Sequence, residues 1–153
     1  MKYWLMKTEP EAYSIDNLQS DKKTPWDGIR NYQVRNFMRD EMSLGDKAIL
    51  YHSNAGSKTG AAGEMEVVGE LHPDKTQFDS KSDYFDSKSK KEDPRWWCVD
   101  LGFVSKFSKI VTLTELKTVK EFEGSKLTQK GNRLSVVPLT KIQYDKICKL
   151  ANK

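Results

Sequence analysis

The chain has 153 residues, enough for one hydrophobic core and too few for two ordinary domains, so residues 1–153 are read as a single unit. Hydrophobic residues at 37% and aromatics at 10% exclude a disordered chain, and charged residues at 31%, against about 25% in an average domain, mark a polar globule. A formal charge of +4 falls well short of a protein that holds nucleic acid through phosphates alone; it permits such a partner without requiring one.

Taken in order, the bulky run Tyr3 to Lys7 predicts a strand stopped by Pro10, with Tyr3, Leu5 and Lys7 on one face. Ser14 is placed to cap a short helix carrying Ile15 and Leu18. A second helix is predicted from Asn31, with Val34, Phe37, Met38 and Met42 as its buried stripe and Tyr32, Arg35, Asn36 and Arg39 beside it. Leu44-Gly45-Asp46 turns the chain into a strand over 47–52. After a loop punctuated by Gly56, Gly60 and Gly63, the alternation of Met65, Val67, Gly69 and Leu71 with Glu64, Glu66, Val68 and Glu70 predicts an antiparallel neighbour. Residues 72–93, rich in Asp, Ser and Lys, read as a long solvated loop. From Trp97 a long strand is predicted, with Val99, Leu101, Phe103, Ser105 and Phe107 on one face. Thr112 with Glu115 opens a helix through Leu116 and Val119, a short strand runs from Arg133 to Val137, and Thr140 with Gln143 opens the last helix. Hairpin-like strands mixed with short helices give an α+β class, with a curved or closed, mostly antiparallel sheet.

Several catalytic or metal motifs fail on spacing. Lys58-Thr59 lacks the glycines of a phosphate loop, since Ser57 and His52 stand where they are needed. His52 and His72 are too sparse for a histidine metal site, and Cys98 and Cys148 lie in no CxxC pattern, which fits a reduced protein without structural zinc. Ser53 or Ser135 with His52 and Asp46 composes a triad only on paper, because no nucleophile elbow accompanies it. No charged leader precedes an apolar run and no apolar stretch approaches ~20 residues, so neither secretion nor membrane insertion is expected.

Polar and aromatic residues gather instead where strands end. Lys7, Thr8 and Glu9 follow the first strand, and His52, Ser53 and Asn54 follow the third segment, as if assembled at one mouth. Lys7 shares a face with Leu5 and needs a partner or a pocket wall, with Glu9 nearest in sequence. Trp26, between Pro25 and Asp27-Gly28, sits in a turn, where an indole serves either as a lid on the core or as a stacking plate. Arg30, Arg35 and Arg39 around Asn31 and Tyr32 resemble the mixed basic and aromatic surfaces that hold nucleic acid.

Five ordered motifs, YWLMKTEPEAYSIDNL, WDGIRNYQVRNFMR, GDKAILYHSN, DPRWWCVDLGF and RLSVVPL, closely resemble the EVE domain family across essentially the whole chain. The resemblance implies a PUA-like fold, a small curved barrel flanked by helices, related to YTH and other readers of modified nucleobases. It implies recognition without turnover of a base lifted out of its stack in DNA or RNA. Carried over by position, the pocket would comprise Lys7, Thr8 and Glu9; Trp26 and Asp27; Arg30, Asn31 and Tyr32; Ser53 and Asn54; and Arg133, Leu134 and Ser135. Trp26 is then the stacking plate, Asn31, Ser53 and Asn54 read the base rim, and Arg30, Arg35, Arg39 and Arg133 reach flanking phosphates. No cofactor or metal is expected. Trp97 beside Trp96 departs from the family's single tryptophan. The chain starts at its first strand without a basic extension, so a bacterial, cytoplasmic member is expected, with a nuclear location if the source is eukaryotic. The rival readings are an enzyme on nucleic acid or nucleotides, using Lys7, Glu9 or His52 as acid or base, and a sensor of a small metabolite in the same pocket.

Overall fold

The computed structural model describes residues 1–129 and 134–152. The bulky opening run forms β1 (Tyr3–Thr8). The helix α1 (Ile15–Asp21) starts in a reciprocal cap, Asn17 N–H donating to the Ser14 hydroxyl and Ser14 N–H to the Asn17 side chain. A three-residue strand, β2 (Lys23–Pro25), was not evident in the sequence. Asn31 caps α2 (Tyr32–Asn36), accepting from Val34 N–H at 3.1 Å, and the helix runs on through a π turn over Phe37–Glu41. There follow β3 (Lys47–His52), β4 (Gly60–Val67), β5 (His72–Pro73), β6 (Trp97–Cys98), β7 (Asp100–Thr112), α3 (Leu113–Leu116), β8 (Val136–Leu139) and α4 (Lys141–Ala151). The predicted Thr140/Gln143 cap opens α4 with both of its hydrogen bonds.

Six strands form one sheet in the order β2-β7-β4-β3-β1-β8, and β5 pairs with β6 in a two-stranded ribbon. All its pairings are antiparallel except β1 with β3, and the C-terminal β8 lies on the other side of β1 in the register Tyr3↔Leu139. Strand alternation divides the core between the two faces. Trp4, Met6, Ala48 and Leu50 pack with Ile15, Leu18, Trp26, Val34 and Met38. Leu5, Ile49 and Tyr51 pack on the other side with Phe107, Leu116, Tyr144 and Ile147. The expected α+β class with a curved, mostly antiparallel sheet and flanking short helices is therefore observed.

Three assignments moved, the simplest being the last short strand, expected to end at Val137 and observed over Val136–Leu139. The strand expected to end at Leu71 lies earlier, because Gly60 and Gly63 are inside β4, beside register shifts against β7 that bend the sheet. A Cβ on Gly60 would meet the Val111 carbonyl oxygen and lie 2.7 Å from Thr112 Cα, so this glycine marks a close approach of two backbones. Gly60→Ala is expected to destabilise the protein by about 1–3 kcal/mol in denaturant unfolding, the usual range for overpacking. The segment 72–93 is not merely solvated: it contributes β5, a 3-10 turn over Lys75–Phe78 and the buried side chains of Asp74 and Gln77. Gln77 fastens it, donating to the carbonyls of Asp74 and Trp96 at 2.7 Å each and accepting from Trp96 N–H at 3.0 Å.

Candidate functional site

The end of β1 and the turn after β2 converge on a cavity of about 490 Å³, within the ~300–1,000 Å³ usual for small-ligand sites. Lys7 and Thr8 bring β1 to it, and the Lys7 N–H bonds to the Ser135 carbonyl at 2.7 Å, which sets Ser135 in the same wall. Pro25 ends β2, Trp26 N–H bonds back to Val99 O at 2.9 Å, and Gly28 turns the chain at φ +80°. A side chain at Gly28 would be strained and would sit 2.8 Å from the Tyr84 ring, so glycine lets that ring close down on the turn. Tyr84 lines the cavity and is a residue that sequence reasoning missed; its signal was an aromatic pair, Tyr84-Phe85, in an otherwise Asp/Ser/Lys segment.

Trp26 belongs to the core and to the cavity wall at once, with 7% of its surface exposed. Its Nε1 makes no hydrogen bond, yet no buried side-chain nitrogen among the described residues lacks one, so the indole N–H opens onto accessible surface. Lys7 Nζ lies 5.9 Å over the Tyr51 ring and has no carboxylate partner within the described residues. Burial lowers the Lys7 pKa below its ordinary value, so an acceptor entering the cavity would relieve the ammonium. Asn31 uses its carbonyl oxygen to cap α2, which leaves the amide NH₂ for a ligand. Asp27 keeps exposed surface, but the protein around it and then the Asp74 carboxylate push its carboxyl pKa up.

Arg30 lines the cavity in a different capacity. Its five N–H donors are all engaged: with the Tyr84 carbonyl at 3.0 and 2.6 Å, the Ile29 carbonyl at 2.7 Å, Asp74 at 3.1 Å and Thr76 at 3.1 Å. It is a bracket that ties the 74–84 segment to the turn, with no donor left for the phosphate contact expected of it. Asp74, with 1% of its side chain exposed, also accepts from the N–H groups of Gly28 and Thr76 at 2.8 Å each. Burial opposes its ionisation, but the hydrogen bonds from Thr76, Gly28 and Arg30 outweigh it and hold the carboxyl below the usual carboxylate value.

The remaining expected residues that the structure describes fall outside the cavity lining. Ser53 N–H bonds to Thr8 O at 3.0 Å and Asn54 donates to Glu9 at 2.8 Å, so the 53–54 turn braces the strand end from behind; Glu9 is partnered by Asn54 and not by Lys7. Leu134 packs against the first core cluster, and Arg133 lies outside the described residues. Tyr32 stacks on Trp96, with ring centroids 4.9 Å apart. Arg35 holds the Arg95 carbonyl and Asn36, and Arg39 is bidentate to Asp40 at 2.8 and 3.0 Å, which neutralises it locally.

Beyond the Pro25–Asp27 wall lies a second cavity, of about 510 Å³, that includes His72, Cys98 and Asp100. His72 pairs with Asp100 at 2.9 Å and the Cys98 thiol lies 3.7 Å from the imidazole nitrogens. Burial, then the carboxylates of Asp74, Asp27 and Asp100, raise the thiol's pKa far above its ordinary value, so it is held protonated and is a poor nucleophile. Among the described residues no group of three or more His, Cys, Asp or Glu side chains is placed to hold a metal, and no helix is long and apolar enough to cross a membrane.

Comparison with known proteins gives this geometry a family. The EVE domain profile matches residues 2–150. Thymocyte nuclear protein 1 from Homo sapiens is 39% identical over 99% of this chain and 74% of its own length. A crystal structure of a Pseudomonas syringae protein superposes with a TM-score of 0.92 at 44% identity, covering 97% of this chain and 99% of that one. Human THYN1 protein, crystallised in complex with 5-methylcytosine-containing DNA, superposes with a TM-score of 0.88 at 38% identity over 100% of this chain and 99% of its own. Matched in sequence from end to end and in fold to solved structures at this identity, the chain belongs to the EVE domain family.

Proposed function

We propose that this chain is a reader of nucleic acid carrying a modified base, which enters the cavity beside Trp26 and is bound without being turned over. The observation that carries the reading is one cavity of base-accommodating size in which an indole wall meets unengaged polar groups: the Trp26 N–H, the Asn31 amide, the Lys7 ammonium and the Ser135 hydroxyl. A heterocycle offers flat faces to the first and a rim of donors and acceptors to the others. The human relative in complex with 5-methylcytosine-containing DNA supports this ligand class and makes a methylated cytosine the first to test. A methyl group adds an apolar knob, worth about 1–3 kcal/mol in a fitting recess. The protonated Cys98 argues against thiolate chemistry at the second cavity. Thr8, Asp27 and Tyr84 complete the walls, while Glu9, Ser53 and Asn54 support them.

The test is titration of matched DNA and RNA oligonucleotides, with and without 5-methylcytosine, against wild type and Asn31→Asp. Aspartate keeps the α2 cap but replaces the amide donor by an acceptor. We expect wild type to prefer the modified strand and Asn31→Asp to lose about 1–3 kcal/mol of binding, the cost of an unsatisfied polar group, at unchanged melting temperature. Equal affinity for modified and unmodified strands, in both DNA and RNA, would sink the reading. Mass analysis of the recovered oligonucleotides should show them unchanged.

A further inference from the structure

We propose that a second base-stacking position lies outside the cavity, on the exposed part of the Tyr32 ring, and that it takes the nucleobase adjacent in the strand to the one held beside Trp26. The proposal rests on the reader function above and adds a subsite to it. Tyr32 is 52% exposed although one side of its ring lies on Trp96, at 4.9 Å and an interplanar angle of 25°. That indole is itself fixed, because Trp96 is 5% exposed and donates from Nε1 to Asp86 at 2.8 Å. A half-exposed ring backed by a fixed second one is an arrangement on which unpaired bases stack irrespective of sequence.

The platform is continuous with the cavity. Asn31 lines the cavity and caps the helix of which Tyr32 is the first residue, so the two positions share one rigid element. The Arg30 guanidinium bridges them a second way, lying 5.6 Å from the Tyr84 ring in the cavity wall and 5.2 Å from Trp96 under the platform. The Arg35 guanidinium lies over the Tyr32 ring, 4.7 Å from its centre, so it is the cation of the platform and would move to its rim when a base stacks. Three of its five N–H groups are engaged, with the Arg95 carbonyl and Asn36, which leaves two for the phosphate between two such bases. Cation and aromatic thus occur together beside the cavity, as single-strand binding surfaces require.

The experiment compares wild type, Tyr32→Ala and Tyr32→Phe, each titrated with 5-methyl-2′-deoxycytidine as the free nucleoside and with a short single-stranded oligonucleotide carrying the same base, melting temperatures being checked in parallel. Tyr32→Ala should weaken the oligonucleotide by about 5- to 150-fold, the worth of one stacked base, and leave the nucleoside unchanged. Tyr32→Phe should stay within about twofold of wild type for both, since the ring face persists. Nucleoside binding by wild type, with oligonucleotide affinity unaffected by Tyr32→Ala, would overturn the platform and leave the cavity reading standing. Equal weakening of nucleoside and oligonucleotide would also overturn it, placing Tyr32 in the cavity's own support. Failure of wild type to bind either the modified nucleoside or the modified strand would sink both readings.

Discussion

Arg30→Met should lower the melting temperature by about 6–20 °C, even though Arg30 is only partly buried. The substitution removes the partner of Asp74, whose side chain is 1% exposed, and leaves its carboxylate in the protein with backbone and hydroxyl donors but no cation. Breaking a buried pair from one side costs about 3–5 kcal/mol, and for a chain of this size each kcal/mol is worth roughly 2–4 °C. The double variant Arg30→Met/Asp74→Asn should recover part of the loss, because the uncompensated charge is gone. Acid provides an independent readout. The Asp74 carboxyl titrates below its ordinary 3.8 in the folded protein, so its contribution is complete above that value and is lost as pH falls through the lower, folded one. Wild type should therefore lose stability below about pH 4 more steeply than Arg30→Met, whose Asp74 has lost one of the groups holding it ionised. Thermal unfolding at about pH 7 and across roughly pH 2–5, where carboxylates titrate, checks both points; a melting temperature within about a degree of wild type would show the bracket to be dispensable.

The second large effect is expected at Trp26. Truncation to alanine empties a position packed among the residues of the first core cluster and should cost about 3–5 kcal/mol in chemical denaturation. The same change removes the stacking wall, so the surviving folded fraction should bind the modified strand about 1–3 kcal/mol more weakly. Trp26→Phe separates the two roles: it retains most of the apolar volume and a ring, but not the N–H that opens on accessible surface. It should be milder in stability than alanine and still impaired in discriminating the base. Undiminished affinity in folded Trp26→Ala would remove the indole from the site.

Those two residues also show what could be read from the chain alone. Periodicity placed α1, α2, α4 and the strands β1 and β3 because their apolar spacing matches the faces they bury, whereas the single face expected from Val99 to Phe107 is split, Val99, Leu101 and Phe103 packing with the first cluster and Phe107 with the second across register shifts against β4; Ser14, Asn31 and Thr140 marked helix starts because capping is local chemistry. The cavity's Lys7, Thr8, Trp26, Asp27 and Asn31 were marked by polar or aromatic residues standing where strands turn, and Ser135 only by the resemblance to the EVE domain family. What sequence did not reveal depends on contacts far apart in the chain. Arg30 has the composition of a phosphate ligand and becomes a bracket only because Asp74 and Tyr84 come to it across more than 40 residues. Tyr84 lay hidden in a segment whose composition says solvent, since its order comes from Gln77 and Asp74, two polar residues that are buried because they are hydrogen-bonded. Gly60 reads as a turn residue until the close approach of β7 is seen.

The position of β1 between β3 and β8 has a consequence for biosynthesis. Tyr3–Met6 leave the ribosome about 130 residues ahead of their partners Val136–Leu139, so one hydrogen-bonding border of this apolar strand stays open over that interval. The contact from Lys7 N–H to the Ser135 carbonyl closes at the same late moment. A chain released before residue 135 therefore lacks the Ser135 wall, and the cavity is completed only when β8 docks.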